Sequence, residues 1–444
     1  MNLISILTLN GKLNNAFRAL KYRNYRLFFA GQTISLVGTW MQRLAIGWLV
    51  YRLSDSAFLL GMVEFAGQIP CFILTPLGGV VADRYNKYHI LITTQILSML
   101  QATILTCFFF WGNVTIQHLI LLNIFLGVIN AFDMPIRQSF VVEMIEDRSD
   151  IGNAIALNSS MVNVARLLGP AIAGFILTAT NEGMCFLLNA VSYIAVIASL
   201  FMMKSISFRN NINQISAWQQ LAGGFAHTFA FAPIKYIIAM IALVSLAGMP
   251  YLVLMPIFAR DILHGGPHTL GLLMSASGIG ALIGAMYLAT RKNIVGLGKI
   301  MVAAMVIFSV GIIGFSFSSV IWLSMIFIFL AGLGMMLQTA SGNTILQTIV
   351  SDEMRGRIMS VFIMAFIGMA PFGSLLAGSL ANKIGAPNTL LTGGICCLAG
   401  AVLFARKLPA LGKMIRPIYA QKGIILEVTE GIQSAAELSI PPED

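Results

Sequence analysis

Apolar runs of roughly 20 residues recur along the chain with short polar breaks between them, and a run of that length fits a helix that crosses a membrane. The first half predicts such helices at about 27–51, 57–81, 89–112, 115–136, 154–179 and 184–204. The breaks are the turn-rich Leu53-Ser54-Asp55-Ser56, Gly112-Asn113 and a charged stretch from Glu143 to Asp150. Residues 205–233 interrupt the pattern with Asn210, Asn211, Asn213, Gln214, Gln219 and Gln220. Within that stretch Trp218, Leu221, Phe225 and Phe229 recur at helical spacing, which predicts a helix lying on the membrane face, closed by Pro233. The second half repeats the plan, with helices at about 234–259, 269–290, 297–317, 319–345, 357–381 and 388–406. The pattern therefore predicts an all-α membrane protein of twelve transmembrane helices. Its parts are an N-tail (1–25), a six-helix bundle (26–204), a central loop (205–233), a second bundle (234–408) and a weakly ordered C-tail (409–444).

Composition agrees. Hydrophobic residues make up 58% of the chain and charged residues 10%, against about 25% charged in an ordinary soluble domain. The net charge of +10 raises the question of nucleic acid, but the cations are scattered between apolar helices, so they read as a topology signal and not as a nucleic-acid surface. Twelve spans put both termini on one side, and 22 of the 27 Lys and Arg residues fall on that side, with Arg52, Arg260 and Lys383 opposite. The asymmetry predicts cytoplasmic termini. The five cysteines all sit in apolar runs and read as packing residues. The first long apolar run is of full spanning length and follows Arg18, Lys21, Arg23 and Arg26, so it reads as a span and not as a cleavable signal.

An internal repeat is visible. A shift of 204 residues lays Gly169, Ala173 and Gly174 on Gly373, Ala377 and Gly378, Gly152 on Gly356, and Lys87 on Arg291. A shift of 205 lays Gly79 on Gly284. Two parallel six-helix halves are a known transporter plan.

The densest charge between the early apolar runs is the loop Gly79-Val80-Val81-Ala82-Asp83-Arg84-Tyr85-Asn86-Lys87-Tyr88. Gly79 would let a helix end or pack closely, and Asn86 could take a left-handed backbone. Asp83, Arg84 and Lys87 offer ion-pair and helix-dipole partners, or simply the positive charges of a short cytoplasmic loop. The stretch resembles the loop after helix 2 of the major facilitator superfamily, Gly-x-Leu-Ala-Asp-Arg-x-Gly-Arg/Lys-Arg/Lys, with Val81, Asn86 and Tyr88 as departures. Its second-half copy is degenerate, with Leu288 near the position of the acid. Gly169-Pro170-Ala171-Ile172-Ala173-Gly174 resembles the Gly-Pro-x-x-Gly-Gly motif of the superfamily's exporters, with Ala173 as a departure; a generic Pro-kinked packing helix would read the same way. Val37-Gly38-Thr39-Trp40-Met41-Gln42 and Phe132-Asp133-Met134-Pro135-Ile136-Arg137-Gln138 resemble the enterobactin-exporter-like bacterial efflux group. The resemblance covers about residues 20–408 and implies the major facilitator fold, a bacterial inner-membrane location and efflux of drugs or siderophores.

Charges inside spans are costly and tend to be functional. Arg43 and Glu64 fall at similar depths in helices 1 and 2, where they either pair, with Glu64 carrying a proton when the pair opens, or snorkel outward as anchors. Arg166, near the middle of helix 5, should face a cavity or a buried acid. Asp133 and Arg137 are expected to join Asp83, Arg84 and Lys87 in a cytoplasmic gate, with Asp83 also facing the start of helix 11, as the resemblance implies. Gln338 and Asn343 in helix 10 would line the cavity or bond helix to helix. His264 and His268 flank a turn, so no metal is assigned, and no cofactor, nucleotide-binding loop or catalytic constellation is visible. The expected function is not enzymatic: a secondary transporter that exports a small amphiphile by alternating access, with a proton as the coupling ion, the lipid bilayer as its setting and no nucleic-acid partner. A lysophospholipid or lipid flippase, or a non-transporting membrane sensor or assembly partner, are the alternatives.

Overall fold

The computed structural model describes residues 17–204 and 227–424, apart from Lys292 and the side chains of Val80, Asp83, Asp352 and Glu353. The expected surface helix around Trp218, Leu221 and Phe225 and the end of the chain beyond 424 lie outside the described residues. Every regular element described is helical.

A short 3-10 turn, Arg18–Lys21, leads into α1 (Arg23–Ser54). Five helices complete the first half: α2 (Ala57–Arg84), α3 (Lys87–Phe110), α4 (Ile116–Glu143), α5 (Ile151–Ala179) and α6 (Glu182–Phe201). In the second half, α7 spans Ala232–Ile262 with π-helical turns at Val244–Gly248 and Phe258–Ile262. It is followed by α8 (Pro267–Thr290), α9 (Leu297–Ser316) and α10 (Ile321–Ile349). α11 is broken into Asp352–Phe366 and Met369–Ile384, and α12 is Ala386–Gln421. Eleven of these, α2 to α12, are long and apolar enough to cross a membrane.

α1 is of full spanning length, at 32 residues, but is not uniformly apolar: it carries Arg23, Arg26, Arg43 and Arg52. Its arginines are exposed, whereas Gln42 is covered by neighbouring helices. The Gln42 amide donates to Gln101 Oε1 on α3 at 3.0 Å and accepts from Asn189 Nδ2 on α6 at 2.8 Å. All three side chains are buried, and satisfied buried amides of this kind fix one register between helices.

Side-chain contacts give the bundle two ends. At one end Arg18 and Lys21 meet Asp150 at the start of α5, and Lys87 at the start of α3 meets Glu143 at the end of α4. Lys422, just past α12, donates to the carbonyls of Thr348 and Val350 at the end of α10. We call this end the basic face. At the far face, Arg52 at the end of α1 meets Glu182 at the start of α6.

Several expectations are corrected. Asn86 does not adopt a left-handed backbone; it is extended (φ −66°) and caps α3, its side chain accepting from Tyr88 N at 3.0 Å. Gly79 neither ends α2 nor packs closely: α2 continues to Arg84, and nothing lies within 4 Å of where a Cβ would stand. The close-packing glycine is Gly78, whose Cβ would lie 2.2 Å from the Ala131 carbonyl oxygen on α4. Adjacent helical positions differ by about 100°, so only one of the pair can face α4. The weak order expected from residue 409 is also corrected, because α12 runs through Pro409 and Pro417 to Gln421, with Leu411 and Tyr419 buried.

Candidate functional site

A cavity of about 460 Å³ lies between the halves, walled by α1, α2, α3, α4, α7, α8 and α11, with single residues from α5 and α6. α7 is adapted to this place: Met249, Pro250 and Pro256, beside its first π turn, line the wall. Proline and π turns free backbone groups and bend a helix, features common where a helix borders a binding space.

Arg43 and Glu64 both line the cavity, and Arg43 Nη2 donates to Glu64 Oε1. Gln68 Nε2, one turn along α2, donates to the same oxygen. The pair therefore bridges α1 and α2 inside the cavity. Nearer the basic face, Asp133 and Arg137 also line it. Asp133 is 4% exposed. Its Oδ1 accepts from Thr94 Oγ1 at 2.9 Å and Gln95 Nε2 at 2.7 Å, and its Oδ2 lies 3.5 Å from Arg137 Nε one turn on. Charge-assisted bonds from three side chains hold this carboxylate against α3.

The expected basic-face network divides. Lys87 is bonded to Glu143 and not to Asp133, while Arg84 is exposed at the end of α2. The Asp83 side chain lies outside the described residues. On α10, Gln338 does not line the cavity: it is fully buried, with Nε2 donating to the Met240 carbonyl of α7 at 3.2 Å. Asn343 accepts from Gln347 of its own helix at 3.0 Å and is likewise absent from the wall. Gln338 therefore bonds helix to helix, while Asn343 bonds only within α10.

Arg166, in the middle of α5, points at the second half. Its Nη2 lies 3.9 Å from Met335 Sδ on α10, and its guanidinium carbon lies 5.8 Å from the centroid of the Trp40 ring. Gly169 makes room for this arrangement, since a Cβ there would stand 2.5 Å from Trp40 Cβ. Gly174 serves a different contact: its Cβ would lie 3.0 Å from Gly271 Cα on α8. The counterpart of Gly174 in the repeat, Gly378 on α11, stands in the same relation to Gly61 on α2, again at 3.0 Å. Small residues at both crossings let backbones touch, which fits helix association in a membrane.

A second cross-half group at the far face was not anticipated from the sequence. Tyr51 hydroxyl donates to Asp261 Oδ2, and Arg260 Nη1 donates to Asp55 Oδ1. The Arg260 guanidinium also sits 5.4 Å from the centroid of the Tyr51 ring. Asp55 holds a left-handed backbone (φ 49°) that ends α1 and aims its carboxylate at α7. The signal available in sequence was the pair of adjacent charges Arg260-Asp261 at the end of an apolar run.

Residues 14–418 match the transmembrane secretion effector family, a branch of the major facilitator superfamily. The chain belongs to this family. It is 26% identical over 384 residues to the staphyloferrin A transporter of Staphylococcus aureus, spanning 85% of this chain and 95% of that one. It is 20% identical over 392 residues to macrolide efflux protein A of Streptococcus pyogenes, spanning 85% and 96%. Among solved structures it resembles the nucleoside transporter NupG, with a TM-score of 0.67 at 13% identity over 88% of this chain and 99% of that one. This transmembrane secretion effector is thus a multi-pass membrane transporter of the efflux type with a facilitator fold.

Proposed function

We propose that this protein is a proton-driven exporter of a small amphiphile and works by alternating access. α1 supplies the twelfth span, α1–α6 and α7–α12 form the two pseudo-repeats, and the basic face is cytoplasmic by the positive-inside rule. The observation that carries the reading is the Arg43–Glu64 pair in the cavity wall. An exporter driven by protons needs a titratable group that meets each side in turn. Glu64 is the carboxylate in the cavity wall placed to do this: it is tied to Arg43 and Gln68 in this state and free of them once the pair opens.

The far-face contacts support a complementary part in gating. Tyr51–Asp261 and Asp55–Arg260 join α1 to α7 across the halves, and the Gly174–Gly271 and Gly378–Gly61 crossings lie on the same side. In this reading they hold the far face shut, while Asp83, Asp133, Arg137 and Lys87 serve the basic face in the opposite state. Pro170 gives α5 the local freedom to rock.

The test is a proton-antiport assay in everted membrane vesicles. Respiration establishes the pH gradient, and an exported compound should dissipate it. At least one member of a panel of macrolides and siderophores should do so in vesicles with the protein and not in vesicles without it. If every compound leaves the gradient untouched while the protein is present and monodisperse, the proton-driven reading fails.

A further inference from the structure

We propose that Arg166 and Arg43, both beside the Trp40 ring, form a docking point for a carboxylate, so the cargo is an organic anion. The inference deepens the transport reading and rests on it.

The argument starts from charge. Beside the cavity stand Arg43, Arg137 and Arg166, against Glu64 and Asp133. Asp133 is held by Thr94, Gln95 and Arg137, and Glu64 by Arg43 and Gln68. Arg166 is left with a thioether, an aromatic ring and the Tyr251 hydroxyl, and among the described residues no carboxylate lies within ion-pair distance of it. A guanidinium halfway along a membrane helix is expensive without a counter-charge. Its nearest ionised neighbour is of like sign, Arg43, whose guanidinium carbon is 5.4 Å from the same Trp40 ring centroid. The site therefore carries one positive charge more than its own side chains neutralise.

Geometry makes that surplus usable. Trp40 and Arg43 line the cavity, and Arg166, half-buried, is the next guanidinium in, 5.8 Å from the Trp40 ring centroid. Guanidinium groups are planar forks that bind carboxylates with two parallel bonds. An indole ring beside both adds an apolar platform for the body of the same molecule. An arriving carboxylate would neutralise Arg166, the one of the three guanidiniums without an acid beside it, while Arg43 adds positive potential and stays bonded to Glu64.

The experiment uses the purified full-length protein in nanodiscs, with no gradient across it. Its unfolding midpoint is followed in acetate, succinate and tricarballylate, and in the uncharged triamide of tricarballylate, all at matched pH and ionic strength against chloride. The carboxylates should raise the midpoint and the triamide should not. Arg166→Gln should weaken the apparent affinity about tenfold or more, while Lys413→Gln, outside the cavity, should leave it unchanged. Should Arg166→Gln fail to fold, Arg166→Lys, which keeps the charge and loses the fork, should weaken it as well. Tryptophan emission should change on titration in the wild type and not in Trp40→Phe. No shift with any carboxylate, or a shift that survives both Arg166 substitutions, overturns the proposal. Because nothing here depends on a proton gradient, failure of the vesicle assay and failure of this one are separate results.

Discussion

Gly174 on α5 and Gly271 on α8 approach so closely that a Cβ on the first would stand 3.0 Å from the Cα of the second. The crossing belongs to the far-face side of the bundle, where the two halves touch. A larger side chain at position 174 should therefore act on the closed far face more than on either half alone, at a cost of about 1–3 kcal/mol for overpacking. Gly174→Leu is expected to speed labelling of Met274→Cys by an impermeant maleimide added from the far side, in a background lacking the native cysteines. The symmetric change Gly378→Leu should do the same. Unchanged labelling in both would mean these crossings do not hold that face shut.

The far-face ion pair Asp55–Arg260 is solvent-accessible, with side chains 69% and 40% exposed, so its contribution should be modest. Exposed pairs are worth about 0.2–1 kcal/mol, at most about fivefold in a population. Asp55→Asn or Arg260→Gln should raise far-side labelling of the same cysteine by no more than that. The exchange Asp55→Arg with Arg260→Asp should bring labelling back towards the wild type if the contact is electrostatic. Adding Tyr51→Phe, which removes the hydroxyl bonded to Asp261, should open the face further.

Asp133 should behave differently because it is buried and holds three donors. Asp133→Ala leaves Arg137, Gln95 and Thr94 without their acceptor, and breaking a buried pair from one side costs about 3–5 kcal/mol. The expected outcome is a marked fall in the unfolding temperature of the detergent-solubilised protein. Asp133→Asn keeps an acceptor oxygen and should lose much less. Equal stability of the alanine variant and the wild type would contradict the contact set.

At the start of the chain, Asp150 gathers Arg18 at 3.2 Å, Lys21 at 2.7 Å and the Tyr22 hydroxyl at 3.0 Å. The carboxylate beside Lys21 raises the ammonium pKa above its ordinary value, so this clamp stays charged throughout the physiological range and is lost when Lys21 deprotonates at strongly alkaline pH or Asp150 is protonated in acid. Asp150→Ala should release the Arg18–Lys21 turn from α5. Amide exchange at residues 18–22 should then quicken while α5 itself keeps its protection.

How much of this was legible in the sequence depends on where the partner lies. Helix positions follow from apolar runs, and Arg43, Glu64 and Arg166 stand out because charge is rare inside them. The tie of Arg43 to Glu64 was foreseeable as one of two options, since both fall at similar depth on consecutive helices. Glu182 and Asp261 drew no notice, because an acid at a helix end looks like ordinary surface until Arg52 or Tyr51 is seen beside it. The Gly78–Gly79 register was decided by α4, which no local pattern in α2 reveals. The length of α12 was hidden for another reason: its last turns leave the apolar run and become amphipathic, so hydropathy ended the helix where packing of Leu411 and Tyr419 continues it.

The most direct test of the account is Glu64→Gln, measured in everted vesicles with a compound that the wild type moves. The amide keeps a hydrogen-bonding group beside Arg43 and Gln68 but has no carboxylate to protonate. The expected result is that the compound still binds and equilibrates, while an imposed pH gradient no longer drives its accumulation. Full gradient-driven accumulation by the variant would contradict the account and leave Glu64 a structural partner of Arg43.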